Sequence, residues 1–561
     1  MTRTYGDLVR SGDRWIVSNL EPHVAIRFKA LFSAVPKSAK VMTLGGDPAA
    51  SADLAWFADR YPLRGEPADL AALEDARTRF GAMRAEAGRI SAPDYEPPLF
   101  AGLRDGQAAR PHQAKAARLV ELFEGLLVGD QTGKGKTYTA GAAMLLPGAL
   151  PATVVCPAGI MKRQWARKIE EFTGLKCHVV EGTTPYALPP CDVRIFSYSI
   201  IGGWADYLEA MGTGLAVFDE VHELRRGVGT DRDPVIKGVA AIRLARASRL
   251  RLGLTATPIF NYGSEIWQVM QFIRPEVLGE WPDFVREWCH SVGAGKWGVR
   301  DPAGLGAYLR EQSAFVREVK DTPKVNVIVH ELDGFDGEGL ASIEDLARHL
   351  AHRATTAGFH ERGEAVRELD MLVRHQTGVG KARAVAAFAR AVVGGGSPLV
   401  LFGWHRDVYD IWLRETADLS PAMFTGSETP AAKMREIGRF LNGETDLLIM
   451  SLRSGMGVDG LQARASVVLF GELDWSPAMH EQCIGRLDRD GQPVWETGEG
   501  VTAVYLTVPD GSDPPIMEVL GLKASEQAHI VDPSLGVQAR NSDEGRFRTL
   551  LRRYLDQAVA A

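Results

Sequence analysis

The sequence predicts an α/β protein with two parallel-sheet lobes, each covered by helices on both faces. Three observations predict it. Short, continuous apolar runs recur along the chain, as expected of parallel strands buried on both sides. Amphipathic stretches separate the runs, which implies βαβ units. The runs fall into two clusters with helical text of different composition between them. A length of 561 residues agrees, since it exceeds what one hydrophobic core supports.

Composition narrows the function classes. Hydrophobic residues make up 45% and charged residues 24%, the balance of a globular chain and not of a disordered or coiled-coil one. The net charge of 64 − 71 = −7 argues against a strongly basic nucleic-acid coat protein, while leaving room for a local basic groove. Cys156, Cys177, Cys191, Cys289 and Cys483 are never at CxxC spacing, so neither a zinc module nor a disulfide framework is expected. Their usage fits a reducing cytoplasm, and the N-terminal text lacks the apolar core of a signal peptide. Thr137 to Met161 carries no charge and is long enough to span a bilayer, but Pro147, Gly148 and Pro151 interrupt it. A buried helix, a turn and a buried strand are expected there, and no membrane segment.

Taken in order, residues 1–96 form a small N-terminal accessory domain, with an amphipathic helix and turn in DLAWFADRYPL (53–63). The first lobe spans 97–275, with strands in GLLVGD (125–130), ATVVCP (152–157), VRIFSY (193–198), GLAVFDE (214–220) and RLGLTATP (251–258). A helical insert and linker occupies 276–380, and the glycine-rich AVVGGGSP text follows just after it. The second lobe spans 381–525, with strands in PLVLFGW (398–404), TDLLIMSL (445–452), SVVLFGELDW (466–475) and VTAVYLTV (501–508). Residues 526–561 form a docking tail, because Phe547, Leu550, Leu551 and Tyr554 share one helical face.

Two motifs carry chemistry. GDQTGKGKT (129–137) lies between a strand-like run and a helix-like one. Gly133 and Gly135 let the backbone wrap phosphates, Lys136 reaches the terminal phosphates, and the Thr137 hydroxyl suits Mg²⁺. Asp130 stands where the strict phosphate-loop pattern has its first glycine, so a glycine-rich turn with a chance lysine is the competing reading. VFDEVH (217–222) ends a later strand. Asp219 suits the hydrated metal and Glu220 the attacking water, with His222 placed to couple them to neighbouring segments. The competing reading is a pair of carboxylates capping a helix.

The motif order then becomes specific. RPHQ (110–113) precedes the loop and CPAGIMKRQWARKIEEF (156–172) follows it. DEVH (219–222), GLTATPIFN (253–261), SLRSGMGVDGLQ (451–462), DWSP (474–477) and QCIGRLDRDGQ (482–492) complete the set. In this order the chain resembles the Swi/Snf-type ATPases of the superfamily-2 helicases over about residues 100–525. The resemblance implies two RecA-like lobes with ATP and Mg²⁺ in the cleft between them. It makes Gln113 the adenine-recognising residue and Arg486 and Arg489 the arginines that reach across the cleft. Thr255 and Thr257 would relay between sites. Arg453, Ser454, Gly455 and Gln482 would face nucleotide and nucleic acid, as would the basic cluster of Lys162, Arg163, Arg167 and Lys168. FVREVKDTPKVNVIVHELD (315–333) resembles the arginine-lysine brace between lobes.

Two departures stand out. Gln131 and Thr132 replace an acidic and a hydrophobic residue before Gly-x-Gly-Lys-Thr, and GMGVDGLQ replaces the usual GxGLNL-like text. The implied activity is an ATP-dependent double-stranded DNA translocase of bacterial or phage type, cytoplasmic and working as a monomer on DNA. A strand-separating DNA or RNA helicase is the first alternative. The second is a motor subunit or scaffold with a nuclease, methyltransferase or replication protein as partner.

Overall fold

All nine apolar runs fold as strands of two parallel sheets. The computed structural model describes residues 3–521 apart from 33–34, 99, 160, 231–232, 257–262, 294–295, 357 and 454–457. The docking helix expected in 526–561 therefore lies outside the described residues.

The first sheet has seven strands in the order Phe315–Val316, Gly125–Val128, Ser248–Leu254, Thr213–Asp219, Ala152–Cys156, Val193–Ser197 and Cys177–Val179. Every pairing in it is parallel. Strand residues alternate between two cores, as the two-residue period of a strand requires. Leu127, Val155, Phe196 and Phe218 pack on one face; Leu126, Val128, Val154 and Val217 pack on the other. The chain after the phosphate loop forms helix Lys136–Met144 and strand Ala152–Cys156, as its proline pattern predicts. Among the described residues no helix is long and apolar enough to cross a membrane.

The second sheet has six strands in the order Asn326–Glu331, Thr502–Thr507, Val467–Phe470, Leu399–Gly403, Leu447–Ser451 and Ala422–Phe424. It too is wholly parallel. Because both sheets are parallel, each brings its strand ends and following loops to one edge, where ligand sites collect.

The sequence reading closes the first lobe at 275 and opens the second at 381; the sheets run past both marks. Phe315–Val316 joins the first sheet beside Gly125–Val128, and Asn326–Glu331 joins the second beside Thr502–Thr507. Each is an edge strand, so it needs only one partner and shows a weak apolar signature. After them in the chain comes a helical pair, Glu344–Thr356 against the 36-residue helix Phe359–Gly394, packed around Leu350, Leu369 and Val373. The later turns of that long helix contribute Ala382, Val385 and Ala389 to the second lobe's core.

Residues near the N-terminus form an antiparallel sheet of Asp7–Ser11, Arg14–Ser18 and Met42–Gly45 under helices Pro22–Leu31 and Pro48–Arg60. Trp15, Phe28, Leu54 and Phe57 make its core. Helix Pro67–Ser91 belongs to two cores: Leu73 packs into this module and Ala87 and Ile90 into the first lobe.

Candidate nucleotide site between the two sheets

The phosphate loop follows strand Gly125–Val128 and ends at helix Lys136–Met144. Gly133 (φ +91°) and Gly135 (φ +79°) adopt the left-handed conformation that glycine tolerates without cost. Gly135 is also where a side chain would strike Gln113 Nε2, at 2.7 Å. Gln113 braces the loop. Its Nε2 donates to the carbonyls of Lys134 (3.3 Å) and Gly135 (3.4 Å), and its Oε1 accepts from the Arg110 amide at 2.9 Å. The carboxamide expected to read adenine is thus engaged with the loop itself. His112 Nε2 adds a contact to the Lys134 carbonyl at 3.0 Å.

Lys136 Nζ donates to the Asp130 carbonyl at 2.7 Å. Burial lowers its pKa, opposed by the nearby charges of Glu220, Asp130 and Asp219. Thr137 follows on the same helix. The free amides of that first turn and the helix dipole favour an anion at this position. The loop's open glycines, the inward lysine and the adjacent carboxylates therefore fit a nucleoside triphosphate with a divalent cation.

Asp219 ends strand Thr213–Asp219. Its Oδ2 accepts from Trp165 Nε1 at 2.8 Å and its Oδ1 from the Glu220 amide at 3.1 Å. Burial, then the Glu220 charge, push its carboxyl up to about 6. A cation beside it would restore the ionised form. Glu220 turns the chain with φ +47°, a left-handed conformation that a non-glycine residue adopts under strain. Burial pushes the Glu220 carboxyl up, but His222, Lys136 and Arg486 together hold it below its ordinary value. His222 Nδ1 lies 3.3 Å from Glu220 Oε2 and 3.3 Å from Thr255 Oγ1. His222 thus bridges the Glu220 carboxylate and Thr255, the first residue after strand Ser248–Leu254. Thr257, Ser454 and Gly455 lie outside the described residues.

The second sheet meets this edge directly. Arg486 and Arg489 follow helix Pro477–Ile484, on which Gln482 is half-buried. Burial, then Arg489, push the Arg486 guanidinium down to about 10, while the Glu220 carboxylate across the cleft works in the other direction. Backbone contact is close. A Cβ on Gly133 would stand 3.0 Å from Arg489 Cβ, and one on Gly485 would stand 2.6 Å from Thr132 Cγ2. The guanidinium of Arg489 does not face the loop. Its Nη1 binds Asp459, and its Nε donates to the Gly485 carbonyl at 2.8 Å.

The basic cluster after Pro157 divides. Helix Met161–Thr173 buries Lys162, Trp165, Ile169 and Phe172 on one face, at helical spacing. Lys162 is a correction to the nucleic-acid reading: its Nζ donates to the Val180 carbonyl (2.8 Å) and Glu181 Oε2 (2.7 Å), pinning an internal turn. Its position one turn before Trp165 sends it inward. Arg163 and Arg167 are exposed, Arg167 standing 3.6 Å from Glu171. Lys168 crosses to the second lobe and pairs with Asp459 at 2.5 Å.

Sequence reasoning missed several contributors. Arg317 Nη1 donates to the carbonyls of Gly129 (2.8 Å) and Ala256 (3.2 Å), tying the phosphate strand to the loop beyond Leu254. The Glu318 amide donates to Asp130 Oδ1 at 2.8 Å, which gives the unusual Asp130 a structural task. Lys320 pairs with Asp488 Oδ2 at 2.6 Å, one residue from Arg489. The resemblance of 315–333 to an interlobe brace was the available signal. Trp404 had none: Arg453 lies over its ring at 4.2 Å and Arg374 at 5.2 Å, at the carboxyl edge of the second sheet.

The SNF2-related domain family matches residues 50–300. The human DNA annealing helicase and endonuclease ZRANB3 is 23% identical over 395 residues, covering 65% of this chain and 35% of that one. The uncharacterized ATP-dependent helicase YqhH of Bacillus subtilis is 23% identical over 445 residues, covering 70% of this chain and 76% of that one. This chain spans about a third of the length of the human relative. A solved structure, the Sulfolobus solfataricus SWI2/SNF2 ATPase core in complex with dsDNA, aligns with 79% of this chain and 100% of that one at 17% identity and a TM-score of 0.37. The domain match over residues 50–300, together with the phosphate loop, Asp219-Glu220 and the paired arginines meeting in one cleft, makes this chain similar to the Swi/Snf-type helicase-like ATPases of superfamily 2.

Proposed function

We propose that the chain is an ATP-dependent translocase on double-stranded DNA. One observation carries the reading: Arg486 and Arg489 of the second lobe pack against the phosphate loop and Glu220 of the first. A cation delivered from the opposite lobe stabilises charge developing on the transferred phosphate only when both lobes are in register. Hydrolysis is then tied to lobe position, which is the requirement for stepping along a polymer. Lys136 and the loop amides would hold the phosphates, and Glu220 would orient and deprotonate the attacking water. Thr137 and Asp219 would hold Mg²⁺, which supplies charge neutralisation between the phosphates.

DNA as the track is supported by the relatives, of which the human one is by name a DNA annealing helicase. Exposed Arg163 and Arg453 are cations suited to backbone phosphates, a contact that reads no sequence. The test is steady-state ATP hydrolysis alone and with duplex DNA, fork DNA, single-stranded DNA and RNA, with Lys136→Ala as the blank. Strong stimulation by duplex DNA is expected. Stimulation confined to single strands or RNA would overturn this reading in favour of a strand-separating helicase.

A further inference from the structure

Asp459 stands between two cations from opposite sides of the cleft. Its Oδ1 binds Arg489 Nη1, and its Oδ2 lies 2.5 Å from Lys168 Nζ. Arg489 belongs to the second lobe; Lys168 belongs to helix Met161–Thr173 of the first. The three side chains are only 13%, 25% and 24% exposed for Arg489, Asp459 and Lys168, so water screens the triad weakly. Burial alone would raise the Asp459 carboxyl; Lys168, then Arg489 and Arg486, overcome it and hold it at about 2. The carboxylate is therefore charged at any working pH.

The consequence lies in where Arg489 points. Its Cβ faces Gly133 on the phosphate loop, yet its guanidinium turns back to Asp459 and the Gly485 carbonyl. A guanidinium committed to Asp459 cannot present the same nitrogen to a phosphate. Lys168 and Arg489 also share one carboxylate. Each weakens the hold on the other, so lobe movement that loosens Lys168 tightens Arg489, and movement that draws Lys168 in loosens Arg489.

We propose that Asp459 is a positioning residue that withholds Arg489 from the phosphate loop, with Lys168 as the first-lobe anchor that reports lobe position to it. The proposal rests on the reading of Arg489 as the cation that stabilises the transferred phosphate. It makes low turnover without nucleic acid a property of this triad. It also gives a role to one of the chain's departures from its family's usual text, where asparagine stands in GxGLNL: the carboxylate supplies a charge that the amide lacks.

The experiment is ATP turnover of the full chain, with and without saturating duplex DNA, for four proteins. Asp459→Asn keeps the shape and removes the charge. It is expected to raise DNA-free turnover about tenfold, which corresponds to ~1.4 kcal/mol, and to leave DNA-saturated turnover and the KM for ATP nearly unchanged. Asp459→Glu restores the charge and is expected to restore the low DNA-free rate. Lys168→Met leaves Asp459 wholly to Arg489 and is expected to lower DNA-free turnover, the opposite sign. A merely structural role would lower both rates in every variant. That result, or a stimulation ratio unchanged in Asp459→Asn, overturns the proposal. A wild-type chain that hydrolyses no ATP under any condition refutes the ATPase reading and this proposal with it; a wild type that responds only to single strands refutes the duplex reading alone, and the ratio is then measured on that ligand.

Discussion

The two lobes bring different kinds of structure to the same cleft. The first fixes its groups through backbone and buried hydrogen bonds: Lys136 on the Asp130 carbonyl, Asp219 on Trp165, and Gln113 on the loop. The second holds its arginines from its own side of the cleft: Arg489 by the Asp459 carboxylate and the Gly485 carbonyl (2.8 Å), and Arg486 Nη1 by a long contact to the Val458 carbonyl at 3.4 Å. Asp459 is in turn paired with Lys168 of the first lobe, so the hold on Arg489 includes one ion pair whose carboxylate is shared across the cleft and can exchange partners at low cost. The difference teaches which half holds the reactants and which half supplies the timing.

Mutations test that division from the largest effect to the smallest. Lys136→Ala removes the phosphate cation and is expected to abolish turnover in any steady-state assay. Glu220→Gln is expected to abolish turnover as well while nucleotide binding, read by equilibrium titration, survives, because the loop is untouched. Wild-type turnover in Glu220→Gln would assign the water-activating role elsewhere. Arg489→Ala should lower kcat by roughly 10²- to 10³-fold with a much smaller change in KM for ATP, the signature of a contact made in the transition state. An unchanged kcat would make the second lobe a bystander.

Two further variants sharpen the comparison through stability and binding. Glu472 is buried and accepts from the Trp404 amide (2.6 Å), the His405 amide (3.0 Å) and the His405 ring (2.6 Å). Burial pushes its carboxyl up, but His405 and these amides win and hold it below its ordinary value. Its stabilising contribution is therefore complete above the unfolded-state pKa and is lost as pH falls through the lower folded value. Glu472→Gln should cost the second lobe about 2 kcal/mol at neutral pH, and less in acid, by denaturant titration. A cost that grows on acidification would contradict the charge assignment. The smallest effect contrasts neighbours on one helix. Arg163→Ala should reduce the slope of log affinity for DNA against log salt by about one, and Lys162→Ala should leave that slope alone while lowering thermal stability. The reverse pattern would return Lys162 to the nucleic-acid face.

Much of this architecture was legible in the sequence, and the exceptions share a physical cause. Strands buried on both faces announce themselves as apolar runs, so all nine were readable. Cys177–Val179, Phe315–Val316 and Ala422–Phe424 are two or three residues long, too short for any period to show. Asn326–Glu331 is exposed along its whole length, so burial left no mark on its composition. At the site, Lys136, Asp219, Glu220 and the arginines were readable because their chemistry demands those residue types. Arg317, Asp130 and Trp404 act through backbone carbonyls, amides and a ring face, contacts that many residue types can make. Lys162 misled because charge suggested solvent, while its place on the helix decided burial.

The short edge strands on the two sheets also set a mechanical limit. Val316 is held in the first sheet and Asn326 in the second. The chain between them covers ten peptide steps, a reach of roughly 35 Å at full stretch. Arg317, Glu318 and Lys320 shorten the free part further, because their contacts fasten it to the phosphate loop and to Asp488. The lobes can pivot and slide on this leash but cannot part widely without tearing strands from a sheet. Any movement of one lobe against the other is thus bounded by a covalent length written into residues 316–326.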